Sequence, residues 1–107
     1  MRTWFGLARR AGKVAAGASE AKTALASGKA CLILLAGDAG RGVERDIELR
    51  GRETGVPIFR CWSKQELGEL LGEKEKAVAV ITDHHLALRI RDSAVMVGTA
   101  GENGGDI

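Results

Sequence analysis

Several groups of residues in this 107-residue sequence have the types and spacing that chemistry needs. Asp83-His84-His85 sets two imidazoles beside a carboxylate, and histidine titrates near neutrality and ligates metals readily. Adjacent histidines on a helix point in different directions, and no cysteine or acid stands at ligand spacing, so a metal site is disfavoured. Gly37-Asp38-Ala39-Gly40-Arg41-Gly42 follows an apolar run and opens a helical pattern, which is where backbone N–H groups cradle phosphate. It has neither the Gly-x-Gly-x-x-Gly order nor the Gly-Lys-Ser/Thr of a P-loop, and a nucleotide-dependent enzyme is the weakest reading. Cys31 and Cys61 lie inside apolar runs without Cys-x-x-Cys spacing and read as buried free thiols. No Ser-His-Asp or Cys-His constellation has residues to carry it. Trp62 follows a strand, and with no second aromatic spaced to form a stacking platform it reads as core packing.

The remaining candidate is Gly17-Ala18-Ser19-Glu20-Ala21-Lys22-Thr23, a glycine turn running into a helix start. A helix N-terminus offers N–H donors and a partial positive charge to an anion. The plain alternative is a structural turn, with Ser19 or Gly17 satisfying backbone N–H groups and Glu20 favoured by the helix dipole.

The elements that must position this turn follow from periodicity. Trp4, Phe5, Leu7, Ala8 and Ala11 recur at helical spacing before Gly12. Val14 to Ala16 is a brief apolar stretch. Gly17 opens a second helix with Ala21, Ala24 and Leu25 inward, ended by Gly28. Cys31 to Ala36 is a continuous apolar run and the expected central strand. A loop is expected over Gly37 to Gly42, then a charged helix with Val43, Ile47 and Thr54 inward, weakened by Gly51 and closed by Gly55. Pro57 to Cys61 reads as a strand, and Ser63-Lys64-Gln65-Glu66 matches a capping box for a helix with Leu67, Leu70 and Leu71 inward. Gly72 ends it, Glu73 to Lys76 make a charged loop, Ala77 to Thr82 read as a buried strand, and Asp83 caps a last helix through about Asp92. Alternating strands and helices imply a three-layer α/β/α sandwich around a mixed sheet. One domain over 1–97 is expected. The segment 98–107 has four glycines and little apolar content, and reads as a flexible tail.

Hydrophobic residues at 45% and charged residues at 28% fit a globular protein rather than a disordered chain. The longest apolar run, Ala30 to Ala36, falls well short of the roughly 20 residues needed to cross a bilayer. The start of the chain has no charged-then-apolar signal pattern, so a cytoplasmic location is expected. Met1 to Arg41 holds seven Lys/Arg and two Asp/Glu, whereas Gly42 to Ile107 holds nine and twelve. A basic first segment suits an anionic partner, although solvated surface accounts for it equally well.

Phe5-Gly6-Leu7-Ala8-Arg9-Arg10-Ala11-Gly12-Lys13-Val14, Gly17-Ala18-Ser19-Glu20 and Ser27-Gly28-Lys29-Ala30 before a strand resemble the ribosomal L-seven-Ae / L-thirty-e family, in its bacterial YlxQ-type branch. Ala36-Gly37-Asp38, Gly55-Val56-Pro57, Glu66-Leu67-Gly68 and Ala77-Val78-Ala79-Val80 continue the likeness in order, so that it covers about Phe5 to Ile90.

The resemblance implies a four-stranded sandwich that binds structured RNA, typically a kink-turn, in which tandem sheared G-A pairs and a short bulge bend the backbone. A-form RNA hides its base edges in a narrow major groove, so a protein must read distorted regions. In the family a Gly-x-Asn-Glu turn opens the RNA-facing helix, and a lysine three residues past the Glu faces the bend. The matching positions are Gly17, Ala18, Ser19, Glu20 and Thr23. Glu20 keeps the family residue, while Ser19 replaces the amide and Thr23 the lysine, with Lys22 next door. The family's second contact, the loop before the last strand, corresponds to Glu73-Lys74-Glu75-Lys76, which brings Lys74, Lys76 and Ala77 into the expected interface. Lys13, Lys22, Lys29 and Arg41 are expected around the same edge. The implied protein is non-enzymatic, needs no metal or cofactor, is monomeric in isolation, and holds ribosomal or other noncoding RNA in a bent form. The alternative is a protein-interaction adaptor of the same fold that has lost RNA recognition through Ser19 and Thr23.

Overall fold

The computed structural model describes residues 2–97, and the tail expected at 98–107 lies outside the described residues. Two apolar runs dictate the architecture. β2 (Leu32–Leu35) and β4 (Val78–Ile81) bury all four of their residues, as strands covered on both faces must. They pair antiparallel from Leu32↔Ile81 to Leu35↔Val78 and form the centre of the sheet. β1 (Val14–Ala16) adds antiparallel to β4, and β3 (Ile58–Arg60) adds parallel to β2, giving the order β1-β4-β2-β3.

Side-chain alternation sorts the core into two halves. Leu32, Leu34, Ala79 and Ile81 meet Phe5 and Ala8 of α1 (Arg2–Arg10), Leu67 and Leu71 of α4 (Lys64–Leu71), and Ala87 and Ile90 of α5 (His84–Val97). Ile33, Leu35, Val78 and Val80 meet Ala21, Ala24 and Leu25 of α2 (Ala18–Ala26) and Ile47 of α3 (Arg41–Thr54). The three-layer α/β/α sandwich with a four-stranded mixed sheet is therefore observed.

Local chemistry sets the helix ends. Ser63 accepts from the Glu66 N–H at 3.1 Å while the Glu66 carboxylate accepts from the Ser63 N–H at 2.9 Å, completing the expected capping box. Asp83 caps α5 by accepting from the Leu86 N–H at 2.9 Å. That bond holds the Asp83 carboxyl below its ordinary pKa, against an opposing effect of burial. Two glycines set how closely elements pack. A Cβ on buried Gly51 would meet Ile58 Cδ1 at 2.8 Å, so the glycine lets α3 lie against β3. A Cβ on buried Gly68 would fall 2.9 Å from Glu75 Cα, so α4 accepts the following loop only because that position has no side chain.

The elements differ from expectation in a few places. Leu7 is 40% exposed and Ala11 is exposed beyond the end of α1, because the inward stripe narrows to Phe5 and Ala8 with Trp4 partly covered. α3 begins at Arg41, so Arg41 and Gly42 are helical and the loop spans only residues 37–40. α5 continues to Val97, past the expected Asp92. Cys31 and Cys61 are free but half-buried, and desolvation pushes the Cys61 thiol up to about 12. Trp62 packs against the α1 side of the core, its ring 5.6 Å from that of Phe5 in an edge-on arrangement.

Candidate functional site

The strand register brings four chain segments to one end of the sheet. Ala16 pairs with Ala79 and Leu35 with Val78, so the exits of β1, β2 and β3 lie beside the entry to β4. Gly17 donates to the Val78 carbonyl at 2.8 Å, Ala36 to the Ala77 carbonyl at 2.8 Å, and Gly37 to the Trp62 carbonyl at 2.9 Å. At this end the starts of α2, α3 and α4 converge.

The start of α2 differs chemically from those of α4 and α5. Gly17 is its N-cap with φ 91° and ψ 164°, a conformation essentially confined to glycine, and no side chain caps the helix. The Gly17 N–H is taken by β4, and its carbonyl accepts the first intrahelical bond from Ala21 at 2.9 Å. Among the described residues no acceptor takes the N–H groups of Ala18, Ser19 or Glu20. The capping role open to Ser19 is therefore not filled, while Glu20 stands in the first turn, where the helix dipole favours it. The Ser19 hydroxyl caps nothing, and the exposed Glu20 carboxylate has no intramolecular partner among the described residues. The result is an open cluster of N–H donors with a free carboxylate one turn in, able to receive acceptors and donors together.

Neighbouring side chains frame this cluster. A Cβ on Gly17 would lie 3.7 Å from Lys76 Cδ and 3.8 Å from its Nζ, so Lys76 arches over the turn. Its ammonium meets Glu73 Oε1 at 3.5 Å. Lys74 is exposed on the same loop, and half-buried Ala77 joins it to β4. Thr23 donates its hydroxyl back to the Ser19 carbonyl at 3.2 Å. Lys22 turns toward α3, where its Nζ lies 3.2 Å from Asp46 Oδ2. The bonds from Lys22 and then Arg50 hold the Asp46 carboxyl below its ordinary pKa. Arg41 is exposed at the first position of α3, whose N-cap Gly40 also has no side-chain cap.

Of the residues expected to share one interface, Gly17, Ala18, Ser19, Glu20, Lys22, Thr23, Arg41, Lys74, Lys76 and Ala77 gather around this end. Lys13 and Lys29 do not. The Lys13 carbonyl accepts from Thr82 at the exit of β4, and Lys29 precedes β2, so both occupy the opposite end of the sheet. The length of β1 separates Lys13 from the α2 start and the length of α2 separates Lys29 from it, a displacement that linear charge counting cannot register. Lys64, inside the capping box, carries no signal in the sequence that marks it as a site residue. It stands at this end, where its N–H donates to Asp38 Oδ1 at 2.8 Å. That bond also assigns the Asp38 carboxylate to the α4 start rather than to a phosphate loop. Among the described residues no group of three His, Cys, Asp or Glu is arranged to hold a metal ion.

Comparisons with known proteins bear on this arrangement. The family model described as ribosomal protein L7Ae/L30e/S12e/Gadd45 matches residues 1–88. A relative from Enterococcus faecium, "RNA-binding protein YlxQ", is 26% identical over 77 residues, covering 72% of this chain and 75% of that protein. A solved structure of a protein with unknown function from Bacillus halodurans C superimposes with a TM-score of 0.80 at 23% identity, covering 85% of this chain and 92% of the other.

Proposed function

Since the chain belongs to the ribosomal protein L7Ae/L30e/S12e/Gadd45 family, we propose that it is a non-enzymatic RNA-binding protein that grips structured RNA at the start of α2 and stabilises a sharply bent, kink-turn-like form. The observation that carries the reading is the uncapped α2 start, where among the described residues three N–H donors and the neighbouring Glu20 carboxylate have no partner. Backbone N–H groups suit phosphate or base acceptors, and the carboxylate suits the donor edges of guanines opened from the stack. The name of the Enterococcus faecium relative, an RNA-binding protein, supports the same partner class. The RNA is ribosomal or another structured noncoding species, the protein acts as a monomer in the cytoplasm, and no cofactor enters the scheme.

The roles divide by geometry. Gly17 brings backbone close to the RNA, Glu20 reads base donors, and Lys76 with Lys74 neutralises phosphates across the turn. Lys22, committed to Asp46, contributes less than its sequence position implies. The test is titration of a kink-turn RNA and a straight duplex of equal length. Wild type should prefer the kink-turn, Glu20→Ala should erase most of that preference, and Lys76→Ala should weaken both RNAs and flatten the salt slope. Equal wild-type affinity for the two RNAs overturns the shape-selective reading. No salt-dependent binding to either leaves the protein-interaction adaptor.

A further inference from the structure

α3 carries an unusual division of charge. Three of its acids are taken by cations: Arg60 of β3 binds Glu44 and Glu48, the latter only about 20° around the helix from Arg41, and Lys22 of α2 and Arg50 of α3 itself hold Asp46 at 3.2 Å and 2.9 Å. The outward arginines are left over. Arg41, Arg45 and Arg52 are exposed, and among the described residues none of them enters an ion pair.

At about 100° per residue, Arg45 and Arg52 lie within about 40° of Arg41 around the helix, and the buried Ile47 and Gly51 lie about 120° and about 80° from Arg41 on the other side. At about 1.5 Å per residue the three are spaced by about 6 Å and about 10 Å along the axis. Arg41 begins this row at the site end of the sheet, beside a second helix start that no side chain caps. Glu53, the one acid of α3 outside these ion pairs, sits about 120° around the helix from Arg41.

We infer that the outward face of α3 is a second RNA contact, a row of Arg41, Arg45 and Arg52 that receives the phosphate backbone of a stem flanking the bend held at α2. The inference rests on the RNA-binding reading above and extends it from a point of grip to a path. Guanidinium groups suit this partner because their planar fork matches phosphate oxygens and they stay charged. Each phosphate neutralised releases counterions and steepens the salt dependence.

The experiment compares wild type with the double variant Arg45→Ala, Arg52→Ala on two RNAs, the bent motif alone and the motif with one stem lengthened by a helical turn. Wild type should bind the lengthened RNA more tightly than the short one. The double variant should bind the short RNA as wild type does, lose most of the gain from the longer stem, and show a salt slope on the long RNA shallower by about one to two units. A double lysine variant at the same positions should recover most of the stem gain. Circular dichroism spectra and urea midpoints matching wild type show that the variants are folded. An alanine variant that keeps the full stem gain and salt slope overturns the inference, as does a wild type that gains nothing from the stem. Wild type failing to bind even the short motif overturns the RNA reading itself, and this row with it.

Discussion

Gly17 joins conformation to chemistry at a single residue. Its φ of 91° and ψ of 164° point its N–H to β4 while releasing the three N–H groups that follow. The space beside it admits a methyl group, since the nearest atom would be 3.7 Å away, so the barrier to substitution is conformational. Gly17→Ala should destabilise the fold by about 1–3 kcal/mol, read from urea midpoints. If the backbone relaxes instead, RNA affinity should fall even where stability does not. Asp83 allows a prediction in pH. Its folded-state pKa is lowered, chiefly by the Leu86 N–H, so its contribution to stability is present above the ordinary carboxylate value and lost as pH falls through the folded value. Asp46 acts in the same direction through Lys22 and Arg50. Asp83→Asn keeps a capping oxygen but removes the titration, and should flatten the decline in urea midpoint between pH 5 and pH 3, a window set by the carboxylate range. An unchanged decline would assign acid sensitivity to other carboxylates.

At the scale of elements, the loop carrying Lys74 and Lys76 is placed by the surface of α4. Gly68 leaves room for Glu75 Cα, and the Gly68 carbonyl accepts from the Glu73 N–H at 2.9 Å. Gly68→Ala should cost about 1–3 kcal/mol of stability through overpacking and weaken RNA binding by displacing Lys76 from Gly17. A variant with wild-type stability and affinity would show that the loop shifts freely. Most elements were legible because their signals are local. Glycine stops, the Ser63 capping box, the Asp83 cap and the two all-apolar strands appear where periodicity places them. Close approach was not legible: Gly51 reads as a weak point in a helix, yet it is the place where Ile58 packs. The start of α3 was also misplaced, because Gly40-Arg41-Gly42 carries turn-forming residues whose helical state depends on packing further along the helix.

At the scale of the molecule, the sheet has two chemically distinct ends. One gathers the open α2 and α3 starts with Glu20, Lys74 and Lys76, and the other carries Lys13 and Lys29. The double variant Lys13→Ala, Lys29→Ala should therefore weaken kink-turn binding far less than Lys76→Ala alone, as measured by titration at fixed salt. A loss equal to that of Lys76→Ala would place RNA across the whole molecule. The turn at Gly17 was visible in sequence because the glycine and the family pattern are contiguous there. The sorting of lysines between ends was not, since it depends on strand register, and the partnership of Lys22 with Asp46 joins residues 24 positions apart. Arg45 and Arg52 are not legible in the sequence for a related reason: their alignment with Arg41 depends on the helix beginning at Arg41.

Cys61 adjoins Trp62, whose carbonyl ties β3 to Gly37 at the site end, and its thiol is pushed up to about 12 by desolvation. Thiolate is the reactive form, so desolvation slows this half-buried cysteine toward alkylating reagents while the end remains closed. Its labelling rate, separated from that of Cys31 by mapping the labelled peptide, becomes a clock for opening between β3 and α4. RNA seated on α2 should slow that clock if the grip rigidifies the whole end, and leave it running unchanged if the RNA only rests on the turn.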